Sequence, residues 1–290
     1  MIREAAYAKL NLSLDVQEKR TDGYHNMLMV MQTIDLCDHI SLDLRLEAGI
    51  FLTCNYGYIP TDGRNLACKA ANLFLKACGR EGQGISIRMK KEIPVGAGMA
   101  GGSADAAAVL RGMNRLLKAG MGRRELEKLA EQVGSDVAFC VAGGTALAKG
   151  RGEMLEDLPP MPDCSIVVCK PSFSISTPEL FGKLDRVKLL HHPDTDGMLE
   201  AIRENDLRGT AIRMYNVFEE VDDRRMRIVA DIKGALLDGG AAGAVMTGTG
   251  SAVFGLFSDE EKAKKSAEKL SKEYSFCRIA KPIKACLFDC

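Results

Sequence analysis

Pro94-Val95-Gly96-Ala97-Gly98-Met99-Ala100-Gly101-Gly102-Ser103-Ala104-Asp105-Ala106-Ala107 is the stretch on which the reading of this chain turns. Gly96, Gly98, Gly101 and Gly102 crowd together, and Ser103 and an alanine-rich segment of helical spacing follow at once. Glycine lets a backbone approach a ligand closely and take up positive φ. A helix starting directly behind such a loop aims its free N–H groups, and the positive end of its dipole, at whatever the loop holds. A backbone built this way cradles a phosphate. The loop lacks the Gly-Lys-Ser/Thr ending of a P-loop, and it does not scan as the G-x-G-x-x-G that opens a Rossmann unit. A plain glycine turn ahead of a buried helix is the bland alternative for the loop on its own.

Upstream of the loop, residues 85–89 predict a short strand leading into Lys90 and Lys91, and residues 65–78 have helical spacing through Leu66, Ala70, Leu73, Phe74 and Ala77. Residues 6–16 alternate around Leu10, Leu12 and Leu14, which predicts a strand with Lys9, Asn11 and Ser13 on its other face. A turn at Thr21-Asp22-Gly23 follows, with strands expected over 27–36 and 40–46. Downstream, helices are expected over 105–117 and 124–133, the second stopping at Gly134. Gly134-Ser135-Asp136 then turns into an apolar run over 137–142. Pro159, Pro160 and Pro162 mark the best domain boundary, giving an N-terminal domain over 1–155 and a C-terminal domain over 156–290. In the second half a strand over 165–169, paired strands around Gly248-Thr249-Gly250, and a final amphipathic helix stand out. Ser258 and Glu261 have capping-box spacing at the start of that helix. Mixed helices and strands with antiparallel-type alternation give an α+β fold rather than a doubly wound sheet.

Lys plus Arg and Asp plus Glu each number 39, so the net charge is zero and nothing advertises nucleic acid or a membrane surface. A phosphate site here must therefore be a local arrangement of backbone dipoles and a few cations. The ten cysteines form no framework and read as reduced, mostly buried thiols of a cytoplasmic protein. The first residues carry no apolar segment of the signal-peptide kind, and no apolar run approaches a membrane span. No His, Cys, Asp and Glu cluster has metal-ligand spacing, so any Mg²⁺ is expected to arrive with a phosphate-bearing ligand and keep most of its waters. His191 and His192 precede Pro193 and are expected to face solvent.

Three segments now combine: Ala6-Tyr7-Ala8-Lys9-Leu10-Asn11-Leu12, the glycine loop, and Thr247-Gly248-Thr249-Gly250-Ser251-Ala252-Val253-Phe254. In this order they resemble the GHMP small-molecule kinase superfamily. Arg20-Thr21-Asp22-Gly23-Tyr24-His25 and Gly134-Ser135-Asp136-Val137-Ala138-Phe139 narrow the resemblance to the branch that acts on 4-diphosphocytidyl-2-C-methyl-D-erythritol. It spans nearly the whole chain. The resemblance implies a two-domain fold with its active site in the interdomain cleft, and transfer of a phosphoryl group from ATP to the 2-hydroxyl of that substrate. It implies Lys9 and Asp136 as catalytic residues, since a carboxylate beside the hydroxyl can take its proton and a nearby cation keeps that carboxylate ionised. It implies nucleotide contacts from Asn65, Lys91, Pro94, Gly96, Gly98, Gly101, Gly102, Ser103 and Ala104. Substrate contacts would come from Asn11, Tyr24, His25, Thr177 and Phe181, with Tyr24 and Phe181 closing the cytosine from its two sides. Gly98-Met99-Ala100-Gly101-Gly102-Ser103 departs from the expected Gly-Leu-Gly-Gly-Gly-Ser, and Ala100 adds a Cβ that discourages positive φ. A GHMP kinase for mevalonate, homoserine or a sugar, and a GHMP-fold binding protein without catalysis, stay open. Asp22-Gly23-Tyr24-His25 speaks against the first, and retention of Lys9 with Asp136 against the second.

Overall fold

The alternation around Leu10 and Leu12 becomes β1 (Ile2–Lys19), and the two strands expected after the turn are one continuous strand, β2 (His25–Arg45). The computed structural model describes residues 1–284. β1 and β2 pair antiparallel, and their register slips between Tyr7 and Lys9 and again between Asn11 and Ser13. Such irregularities re-aim side chains, and here they bracket Lys9 and Asn11.

The first half continues through β3 (Gly49–Cys54), α1 (Leu66–Ala77), β4 (Gly84–Lys90), α2 (Gly101–Leu116), α3 (Arg123–Val133), α4 (Ser135–Ala142), β5 (Thr145–Lys149) and β6 (Met154–Asp157). The second half holds β7 (Ser165–Lys170), α5 (Thr177–Leu184), α6 (Thr195–Arg203), α7 (Leu207–Ile212), β8 (Tyr215–Asn216), α8 (Arg225–Asp238), β9 (Gly243–Met246), β10 (Val253–Phe257), α9 (Glu260–Ser271) and β11 (Phe276–Ala280). One sheet runs β3-β4-β2-β1-β8, with β5 and then β6 added beside β2; the other runs β11-β7-β10-β9. The fold is α+β. The proline cluster lies between the end of β6 and the start of β7, and β8 returns from the second half to lie parallel to β1.

The core of the first sheet is filled by Leu10, Leu12, Met31, Ile40, Leu42 and Ile85 against Phe74 and Phe139 from the helices, all fully buried. Burial of each such side chain contributes roughly 1.5–3 kcal/mol. α2 is locked by Arg111, whose guanidinium donates to the Cys140 carbonyl at 2.6 Å and the Ala5 carbonyl at 2.9 Å. Burial lowers its pKa, opposed by Glu4. The helix that carries the glycine loop is thus pinned to both α4 and β1.

Several expectations need correction. α2 begins at Gly101, so Gly101, Gly102 and Ser103 form its first turn instead of preceding it. Ser135 and Asp136, expected in a turn, open α4. The final helix is capped by Asp259, whose carboxylate accepts from the N–H groups of Glu261 and Lys262, so Ser258 is not the cap. Asp259 wins because its carboxylate is charged and stands directly beside the helix start. β3, β6, β8 and β11 were not foreseen. Cys286 and Cys290 lie outside the described residues; the other eight cysteines are free thiols, five of them buried.

Candidate active site

The three motifs meet at the start of α2. Gly96, Gly98 and Ala100 all have positive φ, at 63°, 75° and 55°. Ala100 therefore adopts the left-handed conformation its Cβ disfavours, at a cost of about 1–2 kcal/mol. It stands at the N-cap of α2 with no side chain able to satisfy the helix. The first N–H groups of a helix have no partner within it, so the N–H groups of the first turn face outward as donors. Behind the loop, a Cβ on Gly98 would lie 2.1 Å from the Thr247 carbonyl oxygen, and one on Gly248 would lie 2.7 Å from the Gly98 carbonyl oxygen. Only glycine allows that backbone contact between the loop and the C-terminal motif. The Thr247 hydroxyl accepts from the Asn11 N–H at 3.1 Å and donates to the Gly98 carbonyl at 3.3 Å. The Lys9 N–H donates to the Met99 carbonyl at 3.2 Å.

Lys9 and Asp136 come together. Lys9 Nζ lies 3.7 Å from Asp136 Oδ2 and donates to Asn11 Oδ1 at 2.6 Å. The lysine side chain is 5% exposed and the aspartate 32%. The ammonium is thus held in place while the carboxylate stays accessible to a ligand. Asp136 sits in the first turn of α4, where the helix dipole favours negative charge. Both residues line a cavity of about 740 Å³ that also takes in Ser103, Tyr24, His25 and Phe181.

At the far end of this cavity, aromatic groups gather from both halves of the chain. Tyr24 is 56% exposed, and the Arg151 guanidinium sits 5.2 Å from its ring centroid. The His25 ring stacks on Phe181 at 5.1 Å and 25°, and Phe181 meets Phe218 edge-on at 4.9 Å. Phe181 thus lies against His25 here, while Tyr24 is covered by Arg151. Thr177 lines the same cavity and shares a 2.9 Å hydroxyl contact with Thr249. Arg151 and Asp185 line it too, and sequence reasoning missed both. Arg151 lies between two glycines of positive φ, Gly150 and Gly152; that glycine-flanked cation was the available signal.

On the other side of the glycine loop lies a second cavity, about 390 Å³, lined by Asn65, Lys91, Pro94, Gly96, Gly101 and Gly102 among others. Gly98, Ala100 and Ser103 line both cavities. The Asn65 carboxamide is engaged as the cap of α1, accepting from Ala67 N–H at 2.9 Å and donating to the Pro60 carbonyl at 2.8 Å. Lys91 is also engaged: its ammonium bridges the buried carboxylates of Asp38 and Asp105, the latter at 2.6 Å. Burial works to lower the Lys91 pKa, but the two carboxylates outweigh it and the pKa is raised. One cation cannot balance two buried carboxylates. Burial, with Asp38 adding to it, pushes the Asp105 carboxyl up to about 7 against the pull of Lys91. The charged part of Lys91 therefore braces the loop from beneath. Ala104 faces neither cavity; it is buried, and its N–H donates to the Ala100 carbonyl at 2.8 Å.

Residues 65–144 match the GHMP kinases N terminal domain and residues 198–275 the GHMP kinases C terminal domain. A 4-diphosphocytidyl-2-C-methyl-D-erythritol kinase of Clostridium botulinum (strain Eklund 17B / Type B) is 45% identical over 269 residues, 93% of this chain and 95% of its own length. One from Brevibacillus brevis is 45% identical over 257 residues, 89% of this chain and 88% of its own. A crystal structure of 4-(cytidine 5'-diphospho)-2C-methyl-D-erythritol kinase superposes with a TM-score of 0.81 at 31% identity, covering 97% of this chain and 99% of that one. A homoserine kinase from Cytophaga hutchinsonii shares the fold, with a TM-score of 0.79 at 22% identity over 98% of this chain and 95% of its own.

Proposed function

The chain belongs to the 4-diphosphocytidyl-2-C-methyl-D-erythritol kinases of the GHMP kinase superfamily, and from that footing we propose how its own residues divide the reaction. It is an ATP-dependent kinase that phosphorylates 4-diphosphocytidyl-2-C-methyl-D-erythritol in the non-mevalonate isoprenoid pathway. The ATP phosphates rest on the first turn of α2, with Gly101, Gly102 and the Ser103 hydroxyl donating to their oxygens. No His, Cys, Asp and Glu group among the described residues is arranged to hold a metal, so Mg²⁺ would come with the nucleotide and would supply positive charge to its phosphates. The acceptor lies in the larger cavity with its 2-hydroxyl beside Asp136 and its cytosine toward Tyr24, His25 and Phe181. Arg151 supplies a cation along the way, facing the diphosphate.

The observation that carries this reading is the Lys9–Asp136 pair, 3.7 Å apart and lining one cavity with Ser103 of the loop. The acceptor oxygen forms its bond to the γ-phosphorus as the bond to the bridging oxygen of ADP breaks. The hydroxyl proton passes to Asp136, and Lys9 balances charge on the moving group. The eight free thiols support a reducing, cytoplasmic setting, and the break between the sheets supports two lobes dividing near residue 155.

ADP release tests the reading. The cytidyl diphospho substrate should be turned over, and mevalonate and homoserine should not. Asp136→Asn keeps the shape but accepts no proton, so turnover should fall at least ~10²-fold with the acceptor KM nearly unchanged. Near-normal turnover in that variant would remove Asp136 from the role of base.

A further inference from the structure

α5 ends at the mouth of the larger cavity, and its last turn makes two contacts to one ring. Phe181 covers the flat face of His25. Asp185, the C-cap residue one turn later, meets the edge of the same ring, with Oδ1 2.7 Å from Nε2. Its other oxygen, Oδ2, accepts from the Lys19 ammonium. Lys19 and His25 are register partners across the β1–β2 hairpin, so Asp185 closes the hairpin ends onto the second half of the chain. The Lys19 hydrogen bond leads in holding the Asp185 carboxyl below its ordinary range, so it stays an acceptor.

A carboxylate has no proton to give, so the atom of His25 that faces Asp185 must be the donor. Lys19 and His25 share this carboxylate, and the contact asks of the ring only an N–H on Nε2. In a neutral imidazole, a proton on Nε2 leaves Nδ1 with a bare lone pair. Nothing in the described structure donates to Nδ1, and the ring lines the cavity.

We infer that Asp185 is a specificity-determining positioning residue: by fixing the His25 proton on Nε2, it leaves Nδ1 as an acceptor that selects a pyrimidine bearing an amino donor over one bearing a carbonyl. The inference rests on the reading that the base binds at this end of the cavity. Cytosine satisfies the lone pair through its exocyclic amine. Uracil puts a carbonyl oxygen against it, leaving two acceptors face to face. A mismatch of this kind separates ligands on the order of 10–100-fold.

The test compares kcat/KM for the cytidyl diphospho substrate and its uridyl counterpart in the wild-type enzyme, Asp185→Asn and His25→Ala. ¹⁵N spectra of imidazole-labelled protein are recorded alongside. The wild type should prefer the cytidyl substrate by on the order of 10–100-fold, with His25 Nδ1 in its pyridine-type form. Asp185→Asn replaces the obligate acceptor with an amide that can also donate, so the ring can turn or change tautomer. Its preference should fall about 10-fold or more, through the acceptor KM, while the KM for ATP and kcat hold. If the wild type shows no cytidyl preference, or His25→Ala leaves it intact, the base does not bind here and the underlying reading fails. If the preference depends on His25 but persists in Asp185→Asn, or wild-type Nδ1 carries the proton, the role of Asp185 is overturned while that reading stands. The wild-type spectrum decides the tautomer even if the variant folds poorly.

Discussion

The two ends of the active-site cleft are built from different materials. At the end proposed for the phosphates, the exposed surface is backbone. The nearby side chains are engaged inward, with Asn65 capping α1, Lys91 gripping two buried carboxylates and Thr247 tying the loop to β1. At the end proposed for the base, the surface is side chain: an exposed tyrosine, an arginine above it, and a histidine held between a phenylalanine and an aspartate. A backbone cradle needs the right dihedral angles and tolerates changes of side chain, as Met99 and Ala100 illustrate. A side-chain pocket needs particular chemical groups. The first kind of surface suits a ligand feature common to a superfamily; the second suits the feature that separates its members.

The contrast can be broken most severely at the cradle. Gly102 is exposed, and a Cβ there would meet only Leu66 Cδ1 at 3.7 Å. Gly102→Val should thus fold normally and yet put a branched side chain where the phosphates approach. Calorimetry should show ATP affinity down by ~10²-fold or more, with cytidyl substrate affinity held. Normal ATP binding would make the loop a structural turn. At the other end, Tyr24→Ala removes an exposed ring. It should raise the KM for the cytidyl substrate by the equivalent of roughly 1–3 kcal/mol, the worth of a base–aromatic stack, and leave the KM for ATP unaltered. Equal changes in both KM values would merge the two ends into one.

The smallest effect probes the brace beneath the loop. Because the Asp105 carboxyl is raised to about 7, the folded protein holds a proton between pH ~4 and ~7 that the unfolded chain has released. Stability from this group is therefore full at the acid end and lost as pH rises through that window. Asp105→Asn is neutral throughout, so its urea-unfolding free energy should lose less between pH 6 and 8 than the wild type's, by on the order of 1–2 kcal/mol. Parallel losses would mean that Asp105 does not hold that proton.

How much of this was legible in the sequence follows the same division. The glycine loop and the alternation along β1 are local patterns with local causes, and the motifs named residues that come to line one cavity, among them Lys9, Ser103, Asp136, Tyr24 and Phe181. The internal fate of Lys91 was not legible, because its partners Asp38 and Asp105 lie on two other elements and a lysine beside Lys90 reads as surface. Asp185 carries no local signal either; it matters because α5 ends where the hairpin begins. Ser258 was preferred to Asp259 because the spacing rule favoured it, whereas the stronger acceptor stood one residue later. The single strand β2 was read as two because its middle is partly exposed and breaks the alternation.

That middle stretch of β2 sets a timetable. Between the residues paired with β5 and those paired with β4, the edge at Thr33 and Asp35 is completed by the far end of the chain. Asp35 N–H donates to the Lys281 carbonyl at 3.0 Å, and Ile283 N–H to the Thr33 carbonyl at 2.9 Å. Lys281 follows Asp35 by 246 residues. At ribosomal rates of about 5–20 residues per second, the first sheet waits roughly 12–50 s for its last hydrogen bonds. During synthesis this stretch of β2 keeps unpaired backbone groups, open to any passing strand.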